Sequence, residues 1–259
     1  MHAALKKIPE VTLLFWVMKI CATTLGETAG DQLAQTMHVG YAISTLLLLG
    51  FFVVVLLGQL AVHRYVPMLY WSVILATSTA GTTLSDYMDR TLGLGYALGS
   101  AMLVTLLLLV LGLWWRSEKS LSVTSIRTRQ GELFYWTAIL ISNTLGTALG
   151  DYLADDSGLG FAGGALLIGS LLAVTVLAYY ATNLSRVLLF WIAFVLTRPF
   201  GATFGDLLTK PAAKQGLGFG TSGSSLILLG VLAALVVYDS WRQRSAAWQD
   251  HYNASGPAH

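Results

Sequence analysis

The chain has 259 residues, of which 55% are hydrophobic and only 11% charged, with a formal net charge of +2. A soluble domain carries roughly 25% charged residues, so this composition excludes an ordinary soluble protein and points to an integral membrane protein. The single cysteine, Cys21, excludes an intrachain disulfide or a cysteine-cluster metal site.

In chain order, Lys6 and Lys7 precede an apolar run with the outline of a signal peptide. That run also holds Lys19 and a motif that returns later, so it is assigned to a first repeat. Apolar segments follow at 11–33 and 40–62, then at 66–88 and 95–115. The pattern returns at 132–153 and 160–181, and at 186–208 and 218–240. Each segment is close to the ~20 residues that cross a bilayer as a helix. The expected fold class is an all-α polytopic membrane protein with eight transmembrane helices. They form four tandem two-helix repeats (11–62, 66–115, 132–181, 186–240) in one domain, 1–259, with 241–259 as a cytoplasmic tail. Two spans per repeat make the repeats parallel, related by pseudo-symmetry about the membrane normal.

Each repeat opens with Trp, then Gly ten residues on, then Asp five further. The sets are Trp16, Gly26, Asp31; Trp71, Gly81, Asp86; Trp136, Gly146, Asp151; and Trp191, Gly201, Asp206. Successive tryptophans lie 55, 65 and 55 residues apart, which suggests a duplicated two-repeat unit joined at the polar stretch Arg116–Arg129. A small residue four positions after each motif glycine (Gly30, Ser85, Gly150, Gly205) completes a small-xxx-small pattern. Glycine and tryptophan are therefore read as packing residues, with the tryptophan near mid-span. Short links end in Gly40-Tyr41, Gly95-Tyr96, Gly160-Phe161 and Gly218-Phe219, and repeat four carries three extra residues around Lys210-Pro211.

Beside the small-residue stripe runs a polar one: Thr23, Thr24, Glu27, Asp31; Ser78, Thr79, Thr82, Asp86; Asn143, Thr144, Thr147, Asp151; and Arg198, Pro199, Ala202, Asp206. Hydrocarbon cannot hydrogen-bond these groups, so the motif helices belong inside and the Leu/Val helices outside. The repeat is broken at Lys19, Glu27 and Arg198, and Pro199 should kink its helix. Five carboxylates then face two cations, leaving three negative charges for protons, a bound cation or water. Two readings of the aspartates stand. They cap backbone N–H groups of the following loops, or they bind a cation or proton.

The termini and inter-repeat loops hold ten Lys/Arg, against three (Arg90, Lys210, Lys214) in the intra-repeat loops. The positive-inside rule then puts both termini in the cytoplasm and the motif aspartates toward the outer face.

The fourfold Trp-Gly-Asp pattern over residues 11–240 resembles a family of bacterial inner-membrane proteins described by a tandem "repeat of unknown function". The resemblance implies a bacterial plasma-membrane location and eight spans, and carries no activity. From the residues, the expected function is a secondary transporter of a small cation, by proton-coupled export. Glu27, Asp31, Asp86, Asp151 and Asp206 would bind the cation, and Lys19 and Arg198 would be counter-charges. Thr23, Ser78, Thr82, Asn143 and Thr147 would complete the polar core. Glu27 and Asp31 are the candidate metal ligands, and oxygen-only ligands suit manganese or magnesium. The alternatives are an accessory membrane protein whose aspartates are loop caps, and a small-molecule receptor or sensor. No catalytic motif, cofactor or nucleic-acid partner is expected. The expected partners are the lipid bilayer and the transported cation or proton.

Overall fold

The computed structural model describes residues 7–126 and 128–254. Lys6, Arg127, the end of the tail beyond 254 and the Lys214 side chain lie outside that description. The described residues fold entirely as helix, turn and loop. The long helices are α1 (Leu13–Asp31), α2 (Tyr41–Ala61), α3 (Pro67–Asp86) and α4 (Tyr96–Glu118). They are followed by α5 (Arg129–Asp151), α6 (Gly160–Ala181), α7 (Arg186–Thr209) and α8 (Thr221–Ala254). The starts of the motif helices follow local chemistry. Thr12, Thr128 and Ser185 accept from the backbone N–H groups of Phe15, Gly131 and Leu188, and Pro67 occupies the first position of α3.

Helices α1, α3, α5 and α7 form a closed inner ring in that order, with α7 against α1. Each outer helix packs on the inner helix of the next repeat: α2 on α3, α4 on α5, α6 on α7, and α8 back on α1. The motif glycines make this ring close. A Cβ on Gly26 would strike Ser78, one on Gly81 would strike Asn143 and Thr144, one on Gly146 Arg198, and one on Gly201 Thr23. The glycine of each repeat thus receives the same position of the next, cyclically. The small residues four further on repeat the device, Gly30 against Thr82, Gly150 against Ala202 and Gly205 against Glu27.

The outer helices show apolar faces to the surroundings, with Leu46, Val54, Leu108, Leu166 and Leu226 all exposed. Such a belt is costly in water and natural in lipid. Helices α2, α4, α6, α7 and α8 are long and apolar enough to cross a membrane. The rows of Thr, Ser and Gly on α1, α3 and α5 lower their hydropathy, although their lengths of 19, 20 and 23 residues would suffice.

Three expectations need correction, and a fourth, the kink at Pro199, meets a helix that is continuous there. The tryptophans lie toward the starts of their helices, not at mid-span, because each inner helix starts only three to seven residues before its tryptophan. They are packing residues all the same: Trp71, Trp136 and Trp191 are buried and Trp16 partly so. The last linker ends at Gly220-Thr221 rather than Gly218-Phe219, since the left-handed Gly220 (φ 74°) immediately precedes α8. Helix α8 also continues past 240 to Ala254, into the expected tail.

Candidate functional site: a layered polar axis

Every fourth residue of each inner helix faces the ring axis. A row of that spacing drifts slowly around a helix, and crossing of the packed helices keeps it pointed inward. The result is six layers of four residues, each drawn from the same repeat position.

The first layer is aromatic: Phe15, Tyr70, Tyr135 and Phe190. Phe15 leans on Trp71, Tyr70 on Trp136 and Phe190 on Trp16, at centroid distances of 5.6, 5.5 and 5.8 Å. Tyr70 and Tyr135 share a hydrogen bond of 2.7 Å. This layer closes the axis at the start of the inner helices.

Next come Lys19, Ile74, Ile139 and Phe194. Lys19 is completely buried, donates to Asn143 Oδ1 at 3.3 Å and lies 4.0 Å over the Phe194 ring. Asn143 belongs to the third layer, with Thr23, Ser78 and Arg198, and its amide donates to Thr77 and Ser78. Thr23 donates to the backbone carbonyl of Thr197.

Arg198 joins the third layer to the fourth, which is Glu27, Thr82, Thr147 and Ala202. Its guanidinium donates to Glu27 Oε2 at 3.0 Å, to Thr82 Oγ1 at 2.5 Å, to Thr147 Oγ1 at 2.6 Å and to the Ser78 carbonyl at 3.3 Å. It therefore touches all three other repeats. Thr82 and Thr147 also reach Glu27 Oε2, each at 3.3 Å. Glu27 and Arg198 are 2% and 0% exposed, so this ion pair is dry and has hydrogen-bond partners on both sides.

The fifth layer holds the four motif aspartates, all buried. They do not cap loops. None makes a side-chain cap bond at the ends of α1, α3 and α5, where the chain widens into π-helical turns over Gln32–Thr36, Tyr87–Thr91 and Tyr152–Asp156. Those turns carry Gln35, Arg90 and Asp155, and the end of α7 carries Lys210, each four residues beyond its aspartate; they form a sixth layer in which Asp155 is exposed. Arg90 pairs with Asp86 at 2.7 Å and Asp151 at 3.0 Å. Lys210 pairs with Asp31 at 2.6 Å and Asp206 at 3.1 Å. Gln35 donates to Asp31. The aspartates are thus two bridged pairs rather than one ring, and the bridging cations come from repeats two and four only. This is the two-repeat duplication, seen as chemistry.

Burial alone would weaken the charge on Arg90, but Asp151 and Asp86 hold it firmly protonated. For Lys210 the Asp206 and Asp31 carboxylates likewise outweigh burial and push the ammonium above its usual range. The expected tally of five carboxylates against two cations is corrected accordingly. Arg90 and Lys210, which the sequence pattern puts in the outer loops, turn inward and raise the cations to four, while the exposed Asp155 of the same layer adds a sixth carboxylate. The sequence carried the signal, since Asp86/Arg90 and Asp206/Lys210 are i,i+4 pairs. Assigning loops directly after the aspartates hid it.

One acidic group stands out. Oxygen atoms of Glu27, Asp31 and Asp206, all buried, lie within 4.8 Å of one another. Asp206 Oδ1 is buried without an aligned hydrogen bond, although the Lys210 ammonium is near. The expected ligands Glu27 and Asp31 thus gain a third, Asp206, while Asp86 and Asp151 belong to the Arg90 pair. Such an all-oxygen set matches a hard divalent cation.

A family model described as Repeat of Unknown Function (DUF347) matches residues 14–65, 69–120, 134–185 and 189–245. Each match begins two residues before a motif tryptophan. No curated protein and no solved structure matches the chain. With four copies covering most of its length and the same Trp-Gly-Asp frame in each, the chain belongs to the family defined by this repeat of unknown function.

Proposed function

We propose that the protein is a membrane transporter of a small cation, with Glu27, Asp31 and Asp206 as the substrate site. In this reading all eight helices cross a bacterial inner membrane about a pseudo-fourfold axis along its normal. Both chain ends lie in the cytoplasm. The carrying observation is the cluster of three buried carboxylates, two of which already hold the ammonium of Lys210. A cation arriving from the aspartate end competes with that ammonium for Asp31 and Asp206. Glu27 completes the set from below, and Arg198 neutralises it when the substrate has left. Oxygen ligands favour a hard divalent ion such as manganese over a soft one. Exchange with protons at the same carboxylates supplies the driving force.

A second reading has its own support. Arg90 and Lys210 between them pair with all four motif aspartates, as a purely structural core would require. Manganese flux into proteoliposomes separates the two. Transport predicts that Glu27→Gln abolishes flux while the protein still folds. It also predicts that Lys210→Gln shifts the cation dependence of flux to lower concentration. Normal flux in Glu27→Gln would remove the site assignment. Absence of flux in the parent protein, with a lower melting temperature in Lys210→Gln, would favour the structural reading.

A further inference from the structure

Nineteen residues after its linker glycine, each outer helix carries a residue at one equivalent position. These are Gln59, Trp114, Tyr179 and Asp239. Gln59, Trp114 and Asp239 are buried, at 5% exposure or less. Trp114 displays the role of the position. Its ring packs edge-on against Tyr135 of α5 and Trp191 of α7, closing the seam between those helices. By the same cyclic relation Tyr179 should insert between Phe190 of α7 and Trp16 of α1. It stands outside instead, 46% exposed. The Arg186 guanidinium lies 4.1 Å over its ring and donates to its backbone carbonyl. The vacated seam is a cavity of about 510 Å³, lined by Trp16, Val176, Tyr179, Phe190 and Ala193 among others. Trp16 is correspondingly the one motif tryptophan that is not buried.

We propose that this cavity binds an acyl chain of an anionic phospholipid, whose phosphate is held by Arg186. The volume falls within the roughly 300–1,000 Å³ usual for small-molecule sites, and the walls are mostly apolar. Leu13 and Tyr180 belong to its lining and are each 81% exposed, so the cavity is continuous with the apolar surface that lipid tails would contact. Arg186 is the first residue of α7, just after α6 ends at Ala181; with both helices spanning the membrane, as proposed above, that is the level of lipid headgroups. Among the described residues no carboxylate lies within ion-pair distance of it. A phosphate there meets both a guanidinium and the N-terminus of a 24-residue helix.

Native mass spectrometry of the full chain tests this, with phosphatidylglycerol and phosphatidylcholine of identical acyl chains as probes. Phosphatidylglycerol should be retained about five-fold better, the factor expected for one basic side chain at the headgroup. Arg186→Gln should erase that preference, and Ala193→Phe, which fills the cavity, should reduce retention of both lipids. Arg186→Gln changes a surface residue and decides the matter if Ala193→Phe does not fold. Equal retention of the two lipids, or a preference that survives Arg186→Gln, overturns the proposal. So does unchanged retention in a folded Ala193→Phe protein, or a copurified non-lipid adduct in the cavity.

Discussion

Arg198 is the residue on which the centre of the molecule depends. It is wholly buried and gives hydrogen bonds to three repeats, and among the described residues its only anionic partner is Glu27. Removing one member of a buried pair strands the other without water, which typically costs about 3–5 kcal/mol. Arg198→Met should therefore lower thermal stability in detergent by about that amount. The double variant Arg198→Met with Glu27→Gln should recover much of it, because no uncompensated charge remains. Melting temperatures of the two singles and the double close the cycle, and strict additivity would show that the pair is not coupled. Glu27 and Arg198 were legible in the sequence because they depart from their repeat equivalents. Thr82 and Thr147 were legible as polar-core residues, but not their direct hydrogen bonds to both Arg198 and Glu27. Their partnership depends on three helices meeting at one height.

For helices, the decisive quantity is the distance of closest approach. A Cβ on Gly81 would come within 2.9 Å of the Thr144 backbone nitrogen and 3.0 Å of the Asn143 carbonyl carbon. Backbone cannot yield as a flexible side chain can. Gly81→Ala should therefore destabilise by about 1–3 kcal/mol, as overpacked cores do. Gly112 lies in the exposed face of α4 with nothing within 4 Å of the same atom. Gly112→Ala should be neutral or stabilising, by up to about 1 kcal/mol, since alanine stiffens the unfolded chain. Comparing the two melting temperatures isolates packing from helix propensity. Helix number, order and limits were largely readable because apolar runs and glycine links are local features. The π-helical turns were not, since a widened turn is settled by what its side chains meet. Arg90 turns inward to Asp86 on its own helix and to Asp151 on the next.

Across the whole molecule, the two halves cannot be separated without exposing inner helices. The interfaces α3–α5 and α1–α7 cross the midpoint, as do the outer packings of α4 on α5 and α8 on α1. They are comparable in extent to the interfaces within a half. Fragments 1–120 and 121–259 should therefore copurify when coexpressed, and each should be unstable alone. Independent folding of either fragment would show that the ring is not the cooperative unit. The membrane character was readable from composition, and the ring from the glycine spacing. The vacated seam beside Trp16 was not, because Tyr179 differs little in chemistry from Trp114. Only its outward position, with Arg186 against it, distinguishes the two.

The central arginine has a further implication for how such a molecule can exist. A ring of four identical chains must place the same residue four times at every level of its axis. Four guanidiniums at one height, with no water, would repel one another, and four glutamates would do the same. Covalent linkage of the four units frees each copy to carry its own residue, so that one arginine can face one glutamate between two threonines. The tandem chain is thus what permits a polarised centre inside a nearly symmetric shell, with a distinct direction across the axis from repeat four to repeat one.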